Sequence, residues 1–293
     1  MRRIVVNAHA KINLTLDVLD TDSRGYHMLD MLMHRISLCD RIYITPKESG
    51  ITVASSKKNL ACDERSTAYR AAKLFFEYAR INGGCDIYLS KYIPMGAGFG
   101  GGSADAAGVL KGLNYFYGSP LSEEVLEHIA LKIGSDVPYM LKNGLCRVRG
   151  TGEIIEPLPP APTLHLLCAM RCRYTNSTKT VYAKYDEIGS ASHPDTDAFL
   201  AALYENDIQS FPRWGGNALS ESAIAVSPPT GTALKKLRAA NAKYAIVTGS
   251  GSASFGVFSS RGEASRAVKY FSGIWHKVCT TGDYGITVSE EEI

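Results

Sequence analysis

The ten residues Pro-Met-Gly-Ala-Gly-Phe-Gly-Gly-Gly-Ser, positions 94–103, form the most informative stretch of this sequence. Ordering so many glycines costs backbone entropy, and in return glycine permits positive φ angles and close backbone approach to a ligand. Residues 86–91 before the loop have the character of a strand, and residues 103–116 after it show helical spacing. The loop would therefore present backbone N–H groups at a helix N-terminus, which predicts a phosphate-binding loop. A flexible surface loop is the alternative.

Three common nucleotide-binding patterns do not account for this loop. The sequence has no G-K-[ST] after a glycine loop, so a Walker A site is excluded, and the HRD and DFG motifs of protein kinases are missing. Gly96, Gly98 and Gly101 satisfy G-x-G-x-x-G, but residues 114–120 form a turn where a dinucleotide fold needs a strand ending in an acidic residue. An NAD-dependent dehydrogenase is therefore disfavoured.

The residues before the loop predict a β-rich opening. Residues 11–18 alternate strictly, so that the apolar side chains of Ile12 to Val18 face a core and the polar ones from Lys11 to Asp17 face away, which predicts a half-buried strand. Other predicted strands are 28–38, 41–45, 51–54 and 86–91. Helices are predicted over 66–82, closed by the glycines at 83–84, and from the Ser122 cap to Gly134.

A proline-rich segment, EPLPPAP at 156–162, is the predicted domain boundary, because it cannot continue a helix or a central strand. It divides the chain into domains 1–158 and 159–293. After it, strands are predicted at 164–170, 243–247, 254–258 and 277–280, and helices at 178–187, 198–205, 232–240 and 262–271. The pattern indicates an α+β protein with two lobes.

Composition narrows the class of protein. The chain has 293 residues, 45% of them hydrophobic and 21% charged, which is ordinary for a globular protein with a sizeable core. A net charge of +3 without long basic runs disfavours nucleic-acid binding, and no apolar stretch is long enough to span a membrane. The seven cysteines are scattered without C-x-x-C spacing, which predicts reduced, packed thiols in a cytoplasmic protein and no structural zinc.

The glycine loop resembles the phosphate loop of the kinase superfamily named for its galactose, homoserine, mevalonate and phosphomevalonate kinases. Three more segments are similar to motifs of that superfamily: AHAKINL at 8–14, GSDVP at 134–138 and TGSGSASFG at 248–256. The resemblance implies a ribosomal-protein-S5-like β-rich α/β domain, a C-terminal ferredoxin-like α/β plait, and an active site in the cleft between the lobes.

Within the superfamily, the chain looks like the 4-diphosphocytidyl-2-C-methyl-D-erythritol kinases from about residue 4 to about 282. RGYH at 24–27, GGGSADAA at 100–107, KIGSDVP at 132–138 and STKTVY at 177–182 carry this likeness. It implies ATP-dependent phosphorylation of the substrate's 2-hydroxyl, in the non-mevalonate isoprenoid precursor pathway. A sister kinase acting on homoserine, mevalonate or a sugar, and a catalytically silent nucleotide-binding relative, are the alternatives. The chain departs from the family pattern at His9, Phe99 and residues 170–173.

The resemblance also implies two catalytic residues. Asp136 would accept the proton of the acceptor hydroxyl, and Lys11 would lie near both Asp136 and the transferred phosphoryl group. From the residues alone, Asp136 is equally a helix N-cap, and Lys11 is more often a solvated strand lysine. Mg²⁺ would be carried mainly by ATP, without a metal site built from protein ligands.

Binding residues follow from the same motifs. The predicted ATP- and phosphate-binding residues are Pro94, Met95, Gly96, Ala97, Gly98, Phe99, Gly100, Gly101, Gly102, Ser103 and Ala104. The predicted substrate-binding residues are Asn13, Tyr26, His27, Thr178, Tyr182, Gly249 and Gly251. Of these, Tyr26, His27 and Tyr182 would recognise cytosine, although a turn aromatic, a surface histidine and a core tyrosine are the plain interpretations. The expected partner is a small cytidyl-diphosphate molecule, with no nucleic acid or membrane, and the chain would be a monomer or weak dimer.

Overall fold

The structure, a computed structural model, describes residues 2–171 and 177–292. The strands are β1 (Arg2–Thr21), β2 (His27–Lys47), β3 (Gly50–Ser55), β4 (Gly84–Ser90), β5 (Leu145–Gly150), β6 (Ile154–Pro157), β7 (His165–Met170), β8 (Tyr244–Val247), β9 (Ser254–Phe258), β10 (Trp275–Thr280) and β11 (Ile286–Glu292). The helices are α1 (Thr67–Ala79), α2 (Gly101–Phe116), α3 (Glu123–Ile133), α4 (Val137–Met140), α5 (Thr178–Ile188), α6 (Thr196–Tyr204), α7 (Phe211–Trp214), α8 (Ser220–Val226), α9 (Pro228–Ala239) and α10 (Arg261–Ala267). None of the described helices is long and apolar enough to cross a membrane.

The first sheet has the order β11-β1-β2-β4-β3, with β5 paired to β2 and β6 paired to β5. Helix α2 packs on β1 and β2, and α1 packs beside α2. Glycines let α2 approach the sheet closely, because a Cβ on Gly108 would overlap the side chain of Ile42. The N-terminus of α2 is thereby fixed at one end of the first sheet, directly after the glycine loop.

The second sheet has the antiparallel order β10-β7-β9-β8, which is the strand order of a ferredoxin-like plait. Helices α9 and α10 pack on this sheet and bury an apolar layer that includes Leu167, Leu237 and Phe271. Two sheets with their own helices confirm the predicted two-lobed α+β fold.

Strand β1 lies between the two lobes, so the prediction that it is half-buried is wrong. The predicted outward-facing residues Lys11, Asn13 and Thr15 are all buried. The second lobe covers them: the Asn13 N–H donates to Thr248 Oγ1 at 3.1 Å, and the Tyr244 hydroxyl donates to the carbonyl oxygen of Leu14 at 2.9 Å. Polar side chains on this strand are therefore held inside the molecule, where they need partners.

Several boundaries differ from the prediction. Helix α1 ends at Ala79 because Arg80 adopts the left-handed conformation as its C-cap, whereas Gly84 already belongs to β4. Elements too short or too polar to show periodicity were not predicted, namely α4, β5, β6, α7, α8 and β11. The boundary at residue 158 stays a prediction, and β11 returns from the second half of the chain to pair with β1.

The cysteines are less uniformly packed than expected. Cys62 is exposed and Cys39 is half-buried, whereas Cys85, Cys146, Cys168 and Cys279 are buried. Cys172, together with Arg173 of the departing segment, lies outside the described residues.

Candidate active site

A cavity of about 1060 Å³ is lined by residues of both lobes. The lining includes most of the site residues predicted from the sequence: Lys11, Asn13, Tyr26, His27, Pro94, Gly96, Ala97, Gly98, Gly100, Gly101, Gly102, Ser103, Asp136, Thr178, Tyr182, Gly249 and Gly251. The structure thus brings together the glycine loop, Asp136 of the acidic motif, and the three residues predicted to recognise cytosine, Tyr26, His27 and Tyr182.

The glycine loop is shaped by contact with a second glycine motif, TGSGSASFG at 248–256. Gly98 has a φ of +90°, and a Cβ there would overlap the carbonyl oxygen of Thr248. The Ala253 N–H donates to the Ala97 carbonyl at 3.0 Å, which ties the two motifs together. Gly100, with a φ of +70°, is the N-cap residue of α2. The loop therefore enters α2 through backbone conformations that favour glycine.

The N-terminus of α2 opens onto the cavity through Gly101, Gly102 and Ser103. The first N–H groups of a helix have no acceptor within the helix, and the helix dipole adds positive potential at this end. The Thr67 hydroxyl donates to the Gly102 carbonyl at 2.8 Å and holds this turn in place. These groups suit a phosphate or another anion.

Lys11 and Asp136 form the polar centre of the cavity. Lys11 is only 3% exposed. Its ammonium donates to Asn13 Oδ1 at 2.7 Å and lies 3.6 Å from Asp136 Oδ2. Asp136 stands at the N-cap position of α4 but its carboxylate makes no capping hydrogen bond, and its side chain is 38% exposed. Lys11 is therefore not a solvated lysine, and the Asp136 carboxylate is open to a ligand.

A buried ionic cluster of Lys91, Asp40 and Asp105 lies beside the glycine loop. Lys91 contacts both carboxylates, and Asp40 Oδ1 accepts from the N–H groups of Tyr92 and Ile93 at the start of the loop. Burial raises the pKa of Asp105 to about 7, while the nearby Lys91 opposes the rise. The cluster joins the loop, β2 and α2 at fully desolvated positions, and the sequence pattern did not predict it.

The far end of the cavity is aromatic. The ring of His27 stacks on that of Tyr182 at a centroid distance of 5.0 Å and an interplanar angle of 22°. His27 Nε2 lies 3.0 Å from Asp186 Oδ1. Tyr26 is 60% exposed at the rim. Burial, followed by the charge of Asp136, raises the pKa of Tyr182, so its hydroxyl stays protonated.

Helix α5 connects the aromatic end of the cavity with the second glycine motif. The hydroxyls of Thr178 and Ser250 lie 3.2 Å apart, close enough for a hydrogen bond. Tyr182 and Asp186 follow one and two turns later on the same helix face. The predicted substrate-binding residues of α5 and of residues 249–251 therefore share one wall of the cavity.

Three predicted binding residues, Met95, Phe99 and Ala104, do not line the cavity. Phe99 is buried and packs near Trp275 at 6.0 Å between ring centroids, and Ala104 is buried in α2. Cavity-lining residues that the sequence analysis missed include Thr67, Ser135, Thr151, Gly152, Lys179, Asp186 and Ser250. Asp186 could have been found from its four-residue spacing after Tyr182, whereas Thr67 and Gly152 reach the cavity only through the tertiary fold.

Comparisons with known proteins agree with this geometry. The family description "GHMP kinases N terminal domain" matches residues 66–144, and "GHMP kinases C terminal" matches residues 199–277. The chain is 36% identical to the 4-diphosphocytidyl-2-C-methyl-D-erythritol kinase of Syntrophomonas wolfei, covering 97% of this chain and 99% of that protein. It is 34% identical to the same kinase of Clostridium novyi, covering 94% and 98%.

Solved structures show the same likeness. A crystal structure of 4-(cytidine 5'-diphospho)-2C-methyl-D-erythritol kinase is 31% identical with a TM-score of 0.78, covering 96% of this chain and 99% of that one. A homoserine kinase structure from Cytophaga hutchinsonii has a TM-score of 0.76 at 19% identity, covering 98% and 97%, and shares the fold.

Proposed function

Because the chain belongs to the 4-diphosphocytidyl-2-C-methyl-D-erythritol kinases, a family of the GHMP kinases, we propose that it phosphorylates the 2-hydroxyl of 4-diphosphocytidyl-2-C-methyl-D-erythritol. It is an ATP-dependent small-molecule kinase. Its product would serve isoprenoid precursor synthesis by the non-mevalonate route.

One observation carries the proposal: a desolvated ammonium and an open carboxylate lie 3.6 Å apart in the cavity that the glycine loop also lines. Phosphoryl transfer depends mainly on positioning and on neutralising charge at the transferred group. The glycine loop and the N-terminus of α2 supply donors for phosphate oxygens, and Lys11 supplies a fixed positive charge.

In the proposed reaction, the hydroxyl oxygen of the acceptor forms a bond to the γ-phosphorus as the bond to the ADP oxygen breaks. The Asp136 carboxylate accepts the hydroxyl proton, and ADP leaves with the electron pair of the broken bond. Lys11, held by Asn13, stabilises charge on the transferred group and keeps the carboxylate oriented toward the acceptor. Asp136 thus both orients the hydroxyl and receives its proton.

The aromatic end of the cavity would bind the cytidyl group. Tyr26 and Tyr182 offer aromatic faces, and the His27 imidazole offers a ring nitrogen for a hydrogen bond to a base edge. Asn13, Thr178, Gly249 and Gly251 line the same cavity as Asp136, and we propose that they contact the diphosphate and the methylerythritol.

Mg²⁺ would enter with ATP and be held mainly by phosphate oxygens. Ser103, in the first turn of α2, lines the cavity, and its hydroxyl would contact the phosphates or the water shell of the ion. Within residues 2–171 and 177–292, no three His, Cys, Asp or Glu side chains cluster as metal ligands. The bound ion would neutralise charge on the triphosphate.

The test is mass spectrometry of the product formed by the purified protein with MgATP and 4-diphosphocytidyl-2-C-methyl-D-erythritol. We expect one added phosphoryl group on the acceptor. Homoserine, mevalonate and galactose are tested in parallel. Turnover of one of these without turnover of the cytidyl compound would assign the chain to a sister activity instead.

We propose that the protein works in the cytoplasm, because its substrates are water-soluble phosphates and its scattered cysteines match a reducing compartment. Its partners would be these small molecules rather than nucleic acid or membrane. A monomer or weak dimer is the expected state, and sedimentation of the purified chain measures it.

A further inference from the structure

Asp186 is placed to control the imidazole of His27. Both Asp186 and Tyr182 project from α5 toward this imidazole: Tyr182 stacks on its face, and Asp186 Oδ1 lies 3.0 Å from its Nε2. The His27 side chain is only 14% exposed, whereas the Asp186 carboxylate is 58% exposed at the cavity rim. The imidazole is therefore fixed in orientation by a residue that the proposed chemistry does not itself require.

The second ring nitrogen of His27 has no protein partner among the described residues. This atom, Nδ1, is shielded from water. A carboxylate only accepts hydrogen bonds, so contact with Asp186 keeps the proton of a neutral His27 on Nε2. Nδ1 then carries a lone pair and can only accept. Leaving a buried acceptor without a donor costs free energy. A ligand N–H that donates to Nδ1 removes this cost.

Pyrimidines differ in what they offer to such an acceptor. The 4-position of cytosine is an amino group, which donates, whereas the 4-position of uracil is a carbonyl oxygen, which accepts. We propose that Asp186 is a positioning residue that sets the selectivity for cytidyl over uridyl substrates by fixing the tautomer of His27. This inference rests on the proposed function, because it takes His27 as the residue that reads the base.

The experiment compares CDP and UDP as competitive inhibitors and, in parallel, the cytidyl substrate and its uridyl counterpart in turnover. The variants are Asp186→Asn and Asp186→Glu. Glu187→Gln is the matched control, because Glu187 is adjacent, pairs with Lys184 at 2.6 Å and is 66% exposed. An asparagine can donate to Nε2, which permits the other tautomer with a proton on Nδ1. We expect Asp186→Asn to lower the preference for the cytidyl over the uridyl compound by at least about tenfold. An effect of this order is expected when a buried hydrogen-bonding group meets a ligand group that cannot pair with it.

A second readout separates positioning from general damage to the fold. The ¹⁵N NMR signals of the His27 ring report which nitrogen carries the proton, and we expect Nε2–H in the wild type and a mixture in Asp186→Asn. Asp186→Glu should keep both the tautomer and the selectivity, and Glu187→Gln should match the wild type.

Two results would overturn the inference and are distinguishable. If the wild type turns over the cytidyl substrate and prefers CDP, but Asp186→Asn keeps the full preference, then Asp186 does not set selectivity and the proposed function stands. If the wild type neither prefers CDP nor phosphorylates the cytidyl compound, the proposed function fails, and the role of Asp186 fails with it.

Discussion

The ammonium of Lys11 lies 3.6 Å from Asp136 Oδ2, although 125 positions separate the two residues in the chain. Lys11 reaches this place because the second lobe covers the polar face of β1. Asp136 reaches it as the N-cap residue of α4, two positions after Gly134 ends α3. Lys11 is buried and Asp136 is partly open, so the ammonium is a fixed part of the protein while the carboxylate remains accessible to an acceptor.

Replacing Asp136 by asparagine tests its role as the proton acceptor. The amide has nearly the same shape but cannot take the hydroxyl proton, so we expect kcat to fall by at least about 10²-fold. The proposed ATP site is the glycine loop rather than this group, so the KM for ATP should change little. Steady-state kinetics measures both quantities. An unchanged kcat would remove Asp136 from the chemistry.

Lys11→Met removes the buried charge while keeping a long apolar side chain. We expect kcat to fall by about 10²–10³-fold, the range found when one charge-stabilising donor is lost. Asp136 is partly exposed and stays hydrated, but the buried Asn13 Oδ1 loses its donor, so we expect the thermal midpoint to fall only modestly. If the midpoint collapses instead, Lys11 serves the fold more than the reaction.

Gly98→Ala tests the contact between the two glycine motifs. The new Cβ would overlap the Thr248 carbonyl at a φ of +90°, so the loop must move and both stability and ATP binding should suffer. Gly118→Ala is the matched control, because Gly118 has a φ of +75° with nothing within 4 Å of its ideal Cβ. The control should be destabilised only by the strain of a non-glycine residue in the left-handed conformation, about 1–2 kcal/mol. Thermal unfolding and ATP titration compare the two, and equal effects would mean that the contact with Thr248 is unimportant.

The buried cluster predicts a pH dependence of stability. Burial raises the pKa of Asp105 in the folded state to about 7 from an ordinary value of 3.8, so between these values the native protein binds more protons than the unfolded chain. Its contribution to the free energy of unfolding therefore decreases as pH rises across this range. Asp105→Asn cannot ionise, and Lys91 keeps Asp40 as its partner. We expect the wild type to lose stability relative to this variant as pH increases from 4 to 7, measured by urea unfolding; parallel curves would contradict the assignment.

Local patterns predicted the two-lobed α+β fold and the phosphate loop, because glycine spacing, helix caps and strand alternation act over a few residues. The other candidate site residues were predicted from the resemblance to the kinase family. Helix α3 begins at the Ser122 cap and ends before Gly134 as its end signals predict. The burial of Lys11 could not be predicted, because it depends on the second lobe packing over β1. The same holds for Asp105 of α2, whose partners are Asp40 of β2 and Lys91, which follows β4. Residues whose role depends on packing between elements leave little trace in sequence periodicity.

His34 predicts the opposite pH dependence on the acid side. Burial lowers the pKa of this imidazole from 6.5 to about 4, so between these values the unfolded chain binds the proton that the folded protein excludes. Stability from this residue is complete above pH 6.5 and is lost as pH falls toward 4, by about 3 kcal/mol in total. His34→Leu cannot titrate and should keep a flatter stability curve in this range. The exposed His128, changed to glutamine, is the control and should follow the wild type. Urea unfolding at a series of pH values decides, and a wild-type curve that runs parallel to that of His34→Leu would show that folding does not lower the pKa of His34.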